Sequence, residues 1–173
     1  MKRAQFLILL IFFATSTGAQ QLDKQQANLE AVFLYNFTKY IDWNKNNSTT
    51  EFIIGVIGDS PITDALYDIA KTYTVNNKRI LIKIFNKPSE ITDCDILFIS
   101  QNNPFSLESI LKRVGQGVLT VSEQTGYARK GTAFNFVVIH NKLKFEANLK
   151  AISDAKLKAG SQLLKLASIV RSN

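Results

Sequence analysis

Residues 52–61 read Phe52-Ile53-Ile54-Gly55-Val56-Ile57-Gly58-Asp59-Ser60-Pro61. The first six form a short, uninterrupted apolar run, the pattern of a strand buried on both faces. The last four make a strand-to-helix turn. Asp59 or Ser60 can cap the coming helix, and Pro61 has its φ preset for the first helical position. A helix to about Lys71 should follow.

Working outward, Leu22 to Ile41 has helical spacing, with Ala27, Ala31, Leu34, Thr38 and Ile41 on one stripe and Leu29, Phe33, Phe37 and Tyr40 beside it. So wide an apolar surface needs cover from a sheet or a second chain. Asn44 to Thr50 reads as a polar loop. Downstream, Ile80–Phe85 and Asp95–Ser100 are strand candidates joined by a polar link through Pro88. Leu107, Ile110, Leu111 and Val114 recur at helical spacing, Gly115 and Gly117 end that element, and Val118–Val121 is the next strand. Helix and strand alternate as they do where right-handed crossovers build a parallel sheet.

The last third changes pattern. Phe134–Ile139 and Leu143–Ala147 flank the pair His140-Asn141, which predicts an antiparallel hairpin with a two-residue turn at a sheet edge. From about Lys150 to the end the spacing of Leu163, Leu166, Ala167 and Val170 predicts a helix. The expected fold is α/β and three-layered, with a mixed, mostly parallel sheet of about six strands, a C-terminal hairpin and flanking helices. No internal repeat and no second domain is visible.

The start of the chain has the three parts of an export signal in order: Lys2 and Arg3, the apolar run Phe6–Ala14, and the small-residue site Thr17-Gly18-Ala19. Residues 1–19 are expected to be a signal peptide, leaving one domain over 20–173. The apolar run is about half the length of a bilayer-spanning helix.

At 173 residues and 46% hydrophobic content, with only three Pro and eight Gly, the chain is neither linker-like nor collagen-like and can bury a sizeable core. A single cysteine, Cys94, and a single histidine, His140, exclude a disulfide scaffold and a histidine-rich metal site. Charge is unevenly spread. Residues 124–173 hold nine Lys and Arg against two Asp and Glu, whereas residues 20–123 hold ten against twelve. Such asymmetry fits either an anionic partner, phosphate group or lipid surface, or simply a solubilising face. No nucleic-acid motif accompanies it.

Catalytic chemistry has little to work with. His140 falls in a turn with no nucleophile or orienting partner nearby, and Cys94, at the entry of a buried strand, has Asp93 and Asp95 as neighbours rather than the cations or helix N-terminus that accompany reactive thiols. Those aspartates, even with Asp59, lack ligand spacing. Gly55-Val56-Ile57-Gly58 stands where a dinucleotide turn would but lacks the third glycine, and its glycines fit turn geometry and close packing better. No cofactor is expected.

Several segments together resemble the YfiR family of exported bacterial proteins: residues 33–43 (Phe33 to Trp43), 54–61 (Ile54 to Pro61), 94–100 (Cys94 to Ser100), 118–122 (Val118 to Ser122), 133–136 (Ala133 to Phe136), 144–148 (Lys144 to Asn148) and 159–167 (Ala159 to Ala167). The resemblance runs in order through nearly the whole mature chain. It implies a non-enzymatic periplasmic regulator, associated with dimers, that binds the periplasmic sensor region of an inner-membrane diguanylate cyclase and represses it, with effects on cyclic di-GMP and biofilm. Some related chains serve other membrane sensors, including histidine kinases. Regulation through an internal disulfide does not carry over to a chain with one cysteine.

For an interaction protein, the candidate partner-binding residues are the outward hairpin positions Lys142, Lys144, Glu146 and Asn148 and the basic Lys158, Lys165 and Arg171. The aromatic group Phe33, Tyr35, Phe37, Tyr40 and Trp43 divides between core packing and a dimer or partner surface. The competing reading is a periplasmic small-molecule binder, with Gly58, Asp59 and Ser60 at the strand ends and the basic tail holding an anionic or nucleotide-like ligand.

Overall fold

The structure is a computed structural model that describes residues 16–43 and 49–172. The apolar run expected in the leader, and most of the polar loop expected at 44–50, lie outside the described residues. Helix α1 spans Ser16–Phe37. There follow β1 (Ile41–Asp42), β2 (Glu51–Ile57), α2 (Ile62–Thr72), β3 (Thr74–Val75), β4 (Lys78–Phe85), β5 (Ile96–Ile99), α3 (Leu107–Leu111), β6 (Leu119–Ser122), β7 (Phe134–Ile139), β8 (Lys142–Asn148), α4 (Leu149–Asp154), β9 (Lys158–Ala159), α5 (Ser161–Leu164) and β10 (Ser168–Val170).

Eight strands form one sheet in the order β10-β8-β7-β6-β5-β2-β4-β3. β4, β2, β5, β6 and β7 run parallel, and β3 and β8 are antiparallel to their neighbours β4 and β7. The deciding stretch occupies the place its composition demands: β2 lies between β4 and β5, with Phe52, Ile54 and Val56 against one layer and Ile57 against the other. Gly55 has no room for a side chain, because a Cβ there would come within 2.6 Å of the Phe85 ring on β4.

On one face α1 and α2 cover a cluster that includes Leu34, Phe37, Leu66, Ile96, Phe134 and Phe145. Phe37 sits among the rings of Phe134, Phe136 and Phe145 at centroid distances of 4.7, 6.0 and 5.1 Å. On the other face α3 and the segment around Tyr127 cover Ile57, Phe85, Leu97 and Ile99. Three layers result, as expected.

Four expectations need correction. Helix α1 ends at Phe37 rather than Ile41: the Thr38 hydroxyl donates to Tyr35 O at 2.6 Å, and after a turn Ile41 enters β1. The C-terminal fifty-residue region is not closed by one long helix. α4 stops at Lys156, which takes φ +57°, while the amides of Lys156 and Leu157 return to Ser153 O and Ile152 O. This is the 6→1, 5→2 pattern of a helix stop usually built on glycine, so the lysine hid the stop. The chain then pairs β9 with β1, Ile41 opposite Ala159, and ends as β10 alongside β8. Leu166, placed on the helical stripe, is therefore 71% exposed.

The hairpin is present, with His140 and Asn141 at φ +49° and +57°, the doubly left-handed pair that tight two-residue turns require. It is not the sheet's last ribbon, however, because β10 covers β8 from Glu146 to Asn148. Asn148 consequently does not face outward with Lys142 and Lys144. It is wholly buried as the cap of α4: its Oδ1 accepts from Ala151 N at 3.1 Å, and its Nδ2 donates to Ala128 O and Ser172 Oγ at 2.6 and 2.9 Å.

Candidate functional site at the carboxyl edge of the sheet

Strand β2 is followed in sequence by β4 on one side of it and then β5 on the other. The loops leaving β2 and β5 diverge at that point, opening the crevice where α/β sheets commonly bind ligands. The β2 loop is Gly58-Asp59-Ser60, and the β5 loop is Ser100-Gln101-Asn102-Asn103. Gly58 takes φ +91°, and a Cβ on it would lie 2.6 Å from that of Asn103, so both the turn and the loop contact require glycine. Ser100 Oγ donates to Asp59 O at 2.6 Å, Asn103 Nδ2 donates to Ser100 O at 2.6 Å, and Asp59 bridges to Asn102. Ser60 lies just before α2, its Oγ accepting from the amide of the first helical residue, Ile62, at 3.3 Å. Of the three nominated residues, Asp59 is exposed at the crevice, Ser60 is committed to the helix, and Gly58 shapes the loop.

Beside the crevice, under α1, lies a pair of acids that the sequence reading did not single out. Glu30 is 1% exposed, with its Oε1 accepting from Gln26 Nε2 at 2.8 Å. It meets Glu123 at the end of β6, whose Oε1 accepts from Gln101 N at 3.1 Å. A cavity of about 100 Å³ adjoins them, bordered by Asp23, Gln26 and Gln101. Burial, and next the neighbouring Glu123 carboxylate, push the Glu30 pKa up to about 7. Burial also raises that of Glu123. Two desolvated carboxyls this close titrate as a pair, and burial favours the protonated form of each. The available signal was a glutamate three residues after Ala27 and four before Leu34, within the apolar stripe.

The hairpin is the second feature of this edge. Asn135 on β7 is opposite Ser122, the last residue of β6, so Phe136–Ile139 continue past the end of β6 with β8 alongside. The outer part of this arm is exposed on both faces: Val138 is 54% exposed, and Ile139, Lys142 and Lys144 also face solvent. Glu146 is half-buried and accepts from Asn135 Nδ2 at 3.3 Å. Ile169 on β10 and Leu166 before it add exposed apolar surface, and Lys165 and Arg171 are exposed nearby in sequence. Lys158 is elsewhere, opposite Asp42 in the small β1–β9 ribbon that follows the far end of α1. The nominated cations thus do not form one patch, and Lys158 does not join Gly58–Ser60 around a common ligand.

The other chemical candidates are placed as follows. His140 tips the arm, Cys94 is buried in the second core cluster, and Asp95 accepts from Ile53 N at 2.8 Å through its carboxylate and from Trp43 Nε1 at 3.1 Å through its carbonyl. Among the described residues no group of three or more His, Cys, Asp and Glu is disposed to hold a metal ion. Phe33, Phe37 and Trp43 belong to the core, while Tyr40 is exposed.

A mixed α/β sheet with a switch-point crevice and a projecting, partly apolar arm defines a protein equipped for binding at one edge. The chain belongs to the YfiR/HmsC-like family, whose model matches residues 27–168. That match covers every strand from β1 to β9 and the first residue of β10. A search of characterised proteins finds no match. The family is periplasmic and regulatory, and its theme is control of cyclic di-GMP signalling. No described helix is long and apolar enough to cross a membrane.

Proposed function

We propose that this chain is a non-enzymatic periplasmic regulator that binds the periplasmic sensor region of an inner-membrane diguanylate cyclase and holds the cyclase inactive, acting as a homodimer after removal of residues 1–19. Family membership supports the class of partner. The observation that carries the mode of action is the β7–β8 arm, which exposes Val138 and Ile139 together with Lys142 and Lys144 beyond the end of β6. Ile139 shares a face with its cross-strand partner Lys142 and with Lys144, and Val138 lies on the other face. Exposed apolar residues on an arm that also carries two cations suit a partner with apolar surface and acidic groups. A repressor works only by binding the inactive state of its target more tightly than the active one, so surface complementarity is the whole of its chemistry.

The experiment is co-purification of the processed protein with the periplasmic domain of a cyclase encoded beside it, together with cellular cyclic di-GMP. Deletion should raise cyclic di-GMP, and Val138→Asp, at an exposed position, should reproduce the deletion while the protein remains folded. Binding to a histidine-kinase sensor instead, with cyclic di-GMP unchanged, would replace this partner assignment.

A further inference from the structure

On the side of the switch point away from the acid pair, the crevice opens to a volume of about 750 Å³, within the range of small-molecule sites. Its apolar lining comes from Pro61, Ile84, Phe85 and Phe105, and its polar lining includes Asp59 and Asp64. Ile84, at the carboxyl end of β4, leaves 43% of its surface exposed in this opening.

The sequence suggested an anionic ligand here, but the lining argues for the opposite charge. Two carboxylates and no Lys, Arg or His line the crevice among the described residues. The positive end of α2, the usual anion seat, is already answered. Ile62 N donates to Ser60 Oγ, Thr63 N donates to Ser60 O at 3.2 Å, and Asp64 stands in the first turn. The carboxamides of Asn86 and Asn102 supply further acceptors, and the half-buried Phe105 ring offers an aromatic surface of the kind that attracts cations.

We propose that this crevice binds a small organic cation with an apolar body, the ammonium group between Asp59 and Asp64 and the body against Ile84 and Phe105. The site is separate from the arm and stands whether or not the arm binds a cyclase. Bound there, such a molecule would tie the β2 loop to the β5 loop.

The test uses three probes of one shape and different charge, 2-phenylethylamine, 2-phenylethanol and 3-phenylpropionate, titrated into the isotopically labelled full protein and followed by amide chemical shifts. The amine should shift Gly58–Ser60, Asn86 and Asn102–Phe105, and bind about tenfold more tightly than the alcohol, the carboxylate binding least. Asp59→Asn combined with Asp64→Asn should remove that preference while the protein remains folded, with only a small fall in the melting midpoint from the loss of Asp64 at the start of α2. Ile84→Lys, also at an exposed position, should abolish amine binding independently. Equal binding of the three probes, tighter binding of the carboxylate, or shifts confined to another region would overturn the proposal, as would no shift with any probe at 10 mM, roughly the weakest binding such a small site should show.

Discussion

The Glu30–Glu123 pair makes folding sensitive to pH in a direction opposite to that of an ordinary salt-bridged acid. Glu30 takes up its proton near pH 7 in the fold but near 4.5 when exposed. Between those values the folded state binds the extra proton, so stability is fully present below about 4.5 and declines as pH rises toward and past 7. The full effect is on the order of 3–4 kcal/mol, from the rise between those two values at about 1.4 kcal/mol per pH unit. Thermal melts between pH 5 and pH 8 should therefore show a falling midpoint that Glu30→Gln flattens. A variant that keeps the wild-type slope would show that the pair is not responsible. Glu30 is met on its own helix by Asp23 and Gln26, and across the cavity by Gln101 and Glu123, with no cation among these residues. Hydrogen bonds from Gln26 to Glu30 and from Gln101 N and Ser100 to Glu123 oppose the effect of burial without overcoming it.

Lys156 and Gly58 show opposite residue-scale choices at left-handed positions. Lys156→Gly should stabilise the protein by about 1 kcal/mol, because a side chain in that conformation carries a cost that glycine lacks. Gly58→Ala should destabilise it by about 2 kcal/mol or more, adding contact with Asn103 to the same backbone cost. Denaturant melts measure both. A stable Gly58→Ala variant would mean that the Asn103 loop moves aside readily.

Among the elements, the arm differs most from the rest of the sheet. Its inner half is a core ribbon, with Phe134, Phe136 and Phe145 buried, whereas its outer half is exposed on both faces. Charge reversal there tests binding without testing folding. Lys142→Glu with Lys144→Glu should weaken partner capture at least tenfold, in the range of losses seen for desolvated charged contacts, and shift the melting midpoint little. Undiminished capture would remove these two lysines from the interface. The β1–β9 ribbon has a different task. It joins the end of α1 to the C-terminal segment, with Gly160 N donating to Tyr40 O at 2.8 Å, so truncation before Lys158 should loosen the end of the long helix.

At the scale of the whole molecule, one edge of the sheet gathers the features on which the proposed contact with a partner would draw. The crevice, the acid pair and the arm lie at or beyond the carboxyl ends of β2, β5 and β6. Proton uptake at Glu30 is therefore expected to alter partner affinity as well as stability. Affinity of the wild type for a captured partner should change between pH 5.5 and 8, and that of Glu30→Gln should not. Binding titrations at the two pH values decide the matter.

The strands β2, β4, β5 and β6 and the hairpin were legible in the sequence because each depends on local chemistry: uninterrupted apolar runs, a proline-preset helix start, and alternation either side of a two-residue turn. The carboxyl-edge loop Gly58–Ser60 was legible for the same reason. The acid pair was not. Glu30 and Glu123 are far apart in sequence, and neither carries a sign of burial apart from its apolar neighbours. Nor was the fate of the C-terminus, since pairing of β10 with β8 and of β9 with β1 depends on partners distant in the chain, and those pairings override a helical spacing that α4 retains for only six residues. Asn148 shows the division most plainly. Alternation put it outside, but the chain turns into α4 there, and the unpaired helix amides draw its side chain inward. The sequence alone determined the α/β class, the parallel core and the family. Only the tertiary structure decided which charges meet, because apposition of distant side chains is set by sheet order and helix placement rather than by the residues on either side.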